Sequence, residues 1–283
     1  MSKSHTMDVI TTVEQLRKRL ANEKNVALVP TMGNLHAGHI QLIKEVKPRA
    51  ACLVTSIFVN RLQFGPSEDF NRYPRTLEAD CAHLLQAGCD VVFAPDEKEI
   101  YPTAQEYTVD PSELQHVLEG AFRPGHFRGV ATVVLKLFNM VQPQLAIFGK
   151  KDYQQYLVLK DMVTQLALPI EIVPAETVRA TDGLALSSRN SYLSPVEREE
   201  AIQLYRQLSS IKQAIMEGNS DFNALETSAT NYLNARGWQT DYIAIRSQDH
   251  LQEAQTNDNR LVVLGASRLG KTRLIDNLEI ELR

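Results

Sequence analysis

Through roughly its first 175 residues the chain alternates short, wholly apolar runs with longer segments whose apolar residues recur at helical spacing. The runs are NVALVP, ACLVTSIFVN, CDVVFAP, QLAIFG and PIEIV. A strand with no polar alternation has no face to offer water, so it must be covered on both sides, as in a parallel sheet layered between helices. The intervening segments supply those helices. LHAGHIQLIKEV puts Ile40, Ile43 and Val46 on one face, and TLEADCAHLLQAG reads as a helix stopped by Gly88. GVATVVLKLFNMV carries the stripe Val130, Val133, Val134, Leu137, Phe138 and Val141, and DYQQYLVLKDMVTQLA follows as another helix.

After about Val178 the texture changes. SPVERE opens a long helix, with Ser194 as N-cap, Pro195 as first helical residue and Glu197 closing a capping box. DFNALETSATNYLNAR makes a further helix ending at Gly237, and DYIAIR, RLVVLG and RLIDNLEIEL are three closing strands. The expected organisation is α/β, with a parallel-sheet domain over residues 1–177 and a smaller mixed α/β domain with an antiparallel sheet over 178–283. Lys plus Arg total 30 against 34 Asp plus Glu, a net charge of −4, which lacks the basic excess of a nucleic-acid or membrane-surface binder. No run approaches the ~18 apolar residues of a membrane span, and MSKSHTMDVI lacks the apolar core of a signal peptide. Cys52, Cys81 and Cys89 form no CxxC pair or even-numbered framework, which fits a reducing cytoplasm. Residues before Met7 read as a polar lead-in without structure.

Near the end, Gly265-Ala-Ser-Arg-Leu-Gly270-Lys271-Thr272 fits the phosphate-loop pattern G-x-x-x-x-G-K-[ST] letter for letter. A working phosphate loop joins a strand to a long helix and needs later strands, one of which supplies a carboxylate for magnesium. The 11 residues after Thr272 read as a strand. Gly265 and Gly270 are therefore expected to serve a turn or bulge, with Lys271 in solvent.

The stronger nucleotide signal is VPTMGNLHAGHIQLI, residues 29–43. A strand ends at Pro30, a glycine-bearing turn follows and a helix begins near His36. Ligands of open parallel sheets bind beyond the carboxyl ends of strands, where this turn lies. His36 and His39 are three apart and share one face of the first helical turn, and Gly38 between them lets a phosphate or an adenine approach the backbone. Imidazole donors at a positive helix terminus suit the charge of a triphosphate.

PTMGNLHAGH resembles the HIGH-type signature of the nucleotidylyltransferase and class I aminoacyl-tRNA synthetase superfamily. Its longer form, P-T-M-G-x-L-H-x-G-H, is similar to that of the pantoate–β-alanine ligase family. SIFVNRLQF, YPRT, EGAFRPGHFRGV, FGKKDYQQ, DGLALSSRNSYL and RLGKTRLIDN resemble further blocks of that family, in its order and from Val9 onward. The resemblance implies a Rossmann-like N-terminal domain and a small C-terminal lid domain to which the RLGKT tail belongs. The activity it implies is an ATP-dependent ligase in two steps. Pantoate attacks the α-phosphate of ATP to give pantoyl adenylate and pyrophosphate, and β-alanine then displaces AMP to make pantothenate. Magnesium accompanies ATP, and a homodimer is implied.

By the same resemblance the catalytic set is His36, His39, Lys151, Ser187, Ser188 and Arg189. The histidines and Lys151 meet the triphosphate, and Ser187, Ser188 and Arg189 the departing pyrophosphate. Pro30, Thr31, Met32 and Gly33 shape the ATP pocket with Val178 and Leu186, and Gly149 and Asp152 hold the ribose hydroxyls. Met32, Gln63 and Gln155 line the pantoate site, where an uncharged amide can hydrogen-bond both a hydroxyl and a carboxylate. Asn60 and Gln63 fall at the β-alanine pocket, Tyr73 on a gate loop and Asp80 at the magnesium. Each has a plainer reading: Asp152 as a helix N-terminal carboxylate, RPGHFRG as a basic surface turn, PSEDFNRYPRT as a polar connection rather than a lid. Three residues depart from the family pattern. Arg61 stands where proline is usual, Lys150 where glutamate is usual, and His83 where another polar residue is expected. A nucleotidylyltransferase acting on a phosphorylated acceptor, and an ATP sensor without turnover, are the rival readings.

Overall fold

β2 (Val26–Thr31) is the middle of the first sheet, and its burial shows why that sheet is parallel. Val26, Ala27, Leu28 and Val29 are all buried, so both faces of the strand are covered. The computed structural model describes residues 6–66 and 68–282; residues 1–5, most of the expected polar lead-in, lie outside them. The described residues divide into two compact units, one holding those up to 150 together with 158–176, the other holding 151–157 together with those from 177 onward.

In the first unit the elements run β1 (Asp8–Ile10), α1 (Val13–Leu20), β2, α2 (Ala37–Val46), β3 (Cys52–Ile57), α3 (Leu77–Ala87), β4 (Val91–Phe93), α4 (Glu97–Ile100), α5 (Glu119–Phe122), α6 (His126–Val141), β5 (Leu145–Gly149), the later part of α7 (Tyr153–Gln165) and β6 (Glu171–Ala175). All six strands are parallel, in the order β1-β4-β3-β2-β5-β6. The chain goes from β2 outward through β3 to β4, then returns to place β5 on the other side of β2. The strand order therefore reverses between β2 and β5, whose carboxyl ends at Thr31 and Gly149 open the crevice in which such sheets bind ligands.

The expected α/β fold with a doubly covered parallel sheet is what the chain adopts, and the five apolar runs are β2 to β6. The stripe on α6 is buried at every named position, and Gly88 ends α3 in the left-handed conformation at φ +85°. One strand carried no readable signal. β1 is three residues long, and only Ile10 of it is buried, so it offers neither an apolar run nor an alternation. It is held by pairing with β4 (Val9 beside Val92), a contact between distant parts of the chain.

In the second unit α8 (Pro195–Glu200), α9 (Ile202–Met216) and α10 (Phe222–Ala235) precede β7 (Gln239–Ser247), β8 (Arg260–Leu269) and β9 (Thr272–Glu281). These strands form an antiparallel sheet in the order β7-β8-β9. The capping box at Ser194 and Glu197 forms as expected, but the single long helix expected from it is divided at Ala201 into α8 and α9. No described helix is long and apolar enough to cross a membrane.

The phosphate-loop pattern lies in the β8–β9 hairpin. Leu269 pairs with Thr272, and Gly270-Lys271 is the two-residue turn between them, with Gly270 at φ +56° and Lys271 exposed. Gly265 sits inside β8, where a Cβ would lie 2.8 Å from Ile243 Cδ1 and 2.9 Å from Leu204 Cδ1, so its bareness lets the α9 side chains close on the sheet. Lys271→Ala should change stability by no more than about 0.5 kcal/mol, with ATP affinity unaltered. Gly270→Ala should cost about 1–2 kcal/mol for its left-handed backbone. Thermal melts and an ATP titration of both variants check this.

Candidate active site

The turn after β2 is built from hydrogen bonds that the sequence does not advertise. Thr31 Oγ1 donates to the Ser56 carbonyl at 2.7 Å and accepts the Gly33 N–H at 3.3 Å. Gly33 at φ +82° and Asn34 at φ +52° then reverse the chain. Asp80, from the distant α3, closes the turn from behind. Its Oδ2 accepts the Asn34 N–H at 3.0 Å and the Thr76 hydroxyl at 3.0 Å, and its Oδ1 accepts the Leu35 N–H at 2.8 Å. Asp80 is only 2% exposed.

This bears on the magnesium expected at Asp80. Both carboxylate oxygens are engaged by the turn and shielded from solvent, so the residue does not fit a direct metal ligand. Among the described residues, no group of three or more His, Cys, Asp or Glu side chains is arranged to hold a metal ion.

His36 is the N-cap of α2, at φ −126°, ψ 176°. Its Nδ1 accepts the Gly38 N–H at 3.1 Å, and His39 Nδ1 accepts the His36 N–H at 3.3 Å, a reciprocal cap made by two imidazoles with ring centroids 4.2 Å apart. Because each Nδ1 is an acceptor, the proton of each neutral ring lies on Nε2. Both rings thus offer a donor at the positive end of a ten-residue helix, the arrangement that attracts phosphate.

Beside this turn lies a polar cluster around Gln63. Asn60 caps the tight 61–63 turn by accepting the Leu62 N–H at 3.3 Å, and its Nδ2 donates to Gln63 Oε1 at 3.0 Å and to the Gly129 carbonyl at 3.1 Å. Gln63 Nε2 reaches Met32 Sδ at 3.2 Å. The structure therefore brings together Met32, Asn60 and Gln63, the first-unit residues expected to meet pantoate and β-alanine. Two residues that sequence reasoning did not single out complete the cluster. Tyr101 donates its hydroxyl to Asn60 Oδ1 at 2.8 Å, and burial raises its pKa, which keeps it a donor. Gly129 lets α6 lie against the 61–63 turn: a Cβ there would collide with the Leu62 carbonyl and stand 2.6 Å from Gln63 N. Its only sequence signal was its place in GHFRG.

The RPGHFRG stretch is a brace for Gln63. His126 Nε2 lies 3.0 Å from Arg123 Nη1, and its Nδ1 lies 2.8 Å from the Gln63 carbonyl. A guanidinium only donates, so Nε2 accepts and Nδ1–H donates to Gln63. Arg123 also grips Glu68 with two bonds, at 2.6 and 2.8 Å. Burial pushes the Glu68 carboxyl up, but the Arg123 hydrogen bonds and charge outweigh it and leave its pKa below the ordinary value. The segment PSEDFNRYPRT is further pinned by aromatic contacts of Phe64 with Phe70 and Tyr73, at 5.4 and 6.0 Å between ring centroids. Tyr73, expected on a gate loop, is buried there. Arg61, in place of proline, lies 4.3 Å over the Phe70 ring and pairs with Glu97, while the Asn60 cap holds its turn. Lys150 pairs with Glu176 at 2.6 Å, and His83 is exposed on α3.

The remaining expected residues, apart from Gly149 at the end of β5, belong to the second unit. Lys151 and Asp152 lie in a single tight turn leading into α7, Lys151 half-buried and Asp152 exposed, with Gln155 half-buried one turn on. Val178 and Leu186 face each other across a small hairpin, joined by the Leu186 N–H to the Val178 carbonyl at 2.9 Å. Ser187 then caps the turn Ser188–Tyr192 by accepting the Arg189 N–H at 3.2 Å, and Asn190 ties that turn to the Ala185 carbonyl at 3.0 Å.

Comparison with known proteins places these features in a family. A family model described as pantoate-beta-alanine ligase matches residues 6–279. The chain is 59% identical to a pantothenate synthetase of Nitrosospira multiformis, over 97% of this chain and 98% of that protein. It is 57% identical to one of Chromobacterium violaceum, over 97% and 99%. Among solved structures, a pantothenate synthetase of Thermus thermophilus superposes with a TM-score of 0.93 at 45% identity, covering 97% of this chain and 100% of that one. The pantoate-beta-alanine ligase of Francisella tularensis, complexed with beta-gamma ATP and beta-alanine, superposes at 0.78 with 34% identity, covering 96% and 97%.

Burial, followed by the Arg123 charge, lowers the His126 pKa from 6.5 to about 4. The unfolded chain therefore takes up a proton on His126 between those values and the folded chain does not. Its contribution is complete above pH 6.5 and is lost as pH falls toward 4, up to about 3 kcal/mol. Glu68 acts in the same direction at lower pH. In denaturant titrations, the stability advantage of wild type over His126→Asn should shrink between pH 7 and pH 4. A separate check is Gly129→Ala, which should lower the thermal midpoint by displacing the 61–63 turn.

Proposed function

The chain belongs to the pantoate-beta-alanine ligase family, and from that premise we propose how its residues carry the reaction. The protein joins pantoate to β-alanine in an ATP-dependent ligation that yields pantothenate. The first step is attack of the pantoate carboxylate on the α-phosphate of ATP, giving pantoyl adenylate and pyrophosphate. β-Alanine then displaces AMP through its amine.

The observation that carries this reading is the reciprocal histidine cap. Two anions must meet in the first step, so catalysis is chiefly positioning and neutralisation of charge. His36 and His39 are fixed by the backbone through Nδ1, which commits their Nε2–H groups to donation at the α2 terminus. That geometry supports placing the triphosphate there, over Pro30, Thr31, Met32 and Gly33. Gln63, braced by His126, receives pantoate with Met32 and Gln155 and also serves β-alanine. Asn60, whose oxygen and amide are taken up by Leu62, Tyr101, Gln63 and Gly129, orients Gln63 from behind rather than meeting β-alanine itself. Lys151 neutralises charge on the transferring phosphate, and Ser187, Ser188 and Arg189 receive pyrophosphate. Gly149 and Asp152 take the ribose hydroxyls, with Val178 and Leu186 lining the ATP pocket. Magnesium arrives with ATP as part of the substrate. A homodimer, a cytoplasmic location and the 1–177 and 178–283 domain boundary complete the proposal, on family likeness and sequence pattern.

Exchange of labelled pyrophosphate into ATP, with pantoate and magnesium but no β-alanine, tests the first step. Pantoate-dependent exchange is expected. Silence in that assay, together with no AMP release after β-alanine is added, would overturn the adenylate route. Lys151→Ala should slow exchange ~10²-fold or more by removing charge stabilisation from the transition state.

A further inference from the structure

β9 grips two functional segments of the second unit, one on each face. Side chains alternate along a strand, so Leu274, Asp276, Leu278 and Ile280 share the face that packs on the helix-covered core, whereas Asn277 and Glu279 share the other. On the core face, Asp276 takes the Arg179 guanidinium in a bidentate pair, at 2.6 and 2.9 Å, and its side chain is 4% exposed. The guanidinium lies 4.4 Å over the Tyr205 ring and also donates to the Gly183 and Asn277 carbonyls, each at 3.1 Å. Arg179 stands in the first arm of the hairpin whose second arm runs into Ser187–Arg189. The Ala180 N–H to Leu184 carbonyl bond, 2.8 Å, closes that hairpin.

On the opposite face, Asn277 Nδ2 donates to the Lys151 carbonyl at 2.9 Å, and the Tyr153 hydroxyl donates to Glu279 Oε1 at 2.9 Å. The lysine turn is thus moored to β9 at two points two residues apart. The neighbouring residue Asp276 moors the serine–arginine loop through Arg179. Two buried, adjacent residues at the edge of a sheet hold the backbone of both segments in one frame.

We propose that Asn277 is a positioning residue for adenylate formation, fixing the Lys151 backbone in register with the Ser187–Arg189 loop that Asp276 holds through Arg179. The proposal rests on Lys151 contacting the triphosphate. A lysine side chain has four rotatable bonds, so its ammonium is placed only as well as its backbone is held. Asn277→Asp keeps the shape of the side chain but replaces the donor with an acceptor facing a carbonyl.

The test measures pyrophosphate exchange, ATP affinity by calorimetry and thermal midpoint for Asn277→Asp, Asn277→Ala, Lys151→Ala and the Asn277→Asp/Lys151→Ala double variant. Asn277→Asp should remain folded with exchange at least ~10-fold slower, since displacement of about 1 Å in a positioned group costs up to ~10²-fold. In the Lys151→Ala background, Asn277→Asp should alter ATP affinity by less than about twofold, because coupled residues are not additive. Wild-type exchange by folded Asn277→Asp overturns the proposal, as does an equal loss of ATP affinity with and without Lys151. If Asn277→Asp does not fold, Asn277→Ala is read in its place, and failure of both to fold overturns the proposal in favour of a purely structural role. Wild-type exchange by Lys151→Ala overturns the placement of Lys151 itself, which distinguishes that failure from the failure of Asn277 alone.

Discussion

The first unit depends on the enclosure of β2. It is paired on both edges, to β3 and β5, and covered on both faces, so its register is fixed from every side. Because the strand order reverses beside it, the residues that leave its carboxyl end emerge into a crevice. The turn from Thr31 to His36 inherits its position from that burial, and the two histidines inherit theirs from the turn. A parallel sheet of this kind is costly to leave uncovered, and the helices that cover it deliver the polar residues that brace the site.

Those braces are buried and charged or polar, a combination that is stable only when every group is paired. Asp80 satisfies two backbone N–H groups and a hydroxyl. His126 is held neutral between a guanidinium and the Gln63 carbonyl. Asn60 has its oxygen and its amide occupied by four partners drawn from three parts of the chain. Each fixes a backbone segment that carries a residue proposed to meet a ligand, so rigidity at the proposed site is supplied from behind it.

The two glycine-containing motifs teach opposite lessons with similar letters. HAGH forms a helix cap because a buried strand precedes it and a ten-residue helix follows, giving a helix terminus that needs capping. The GASRLGKT stretch has a strand on both sides, so its glycines serve a hairpin turn and a close packing contact. Neither outcome is contained in the motif. Both follow from whether the segment after it is amphipathic with a period near four or alternates with a period of two.

Much of this was legible in the amino-acid sequence. The five apolar runs, the α6 stripe, the Ser194 capping box and the three closing strands are short-range patterns, and a pattern in sequence becomes a face in structure by geometry alone. The family likeness rested in the same way on contiguous blocks. β1 was not legible, because a three-residue edge strand is defined by its partner rather than by its own residues. Nor were the partners of Asp80, the close approach of Gly129 to the 61–63 turn, or the moorings of Lys151 and Arg179 on β9. These join residues 45, 67 and 126 positions apart, among others. The sequence by itself determined most of the strands and helices and, through contiguous blocks of letters, the family and the residues proposed to carry its chemistry. Only the tertiary structure decided which buried carboxylate, imidazole or amide holds each of those letters in place, because that depends on which distant segments the packing of the core brings within hydrogen-bonding distance.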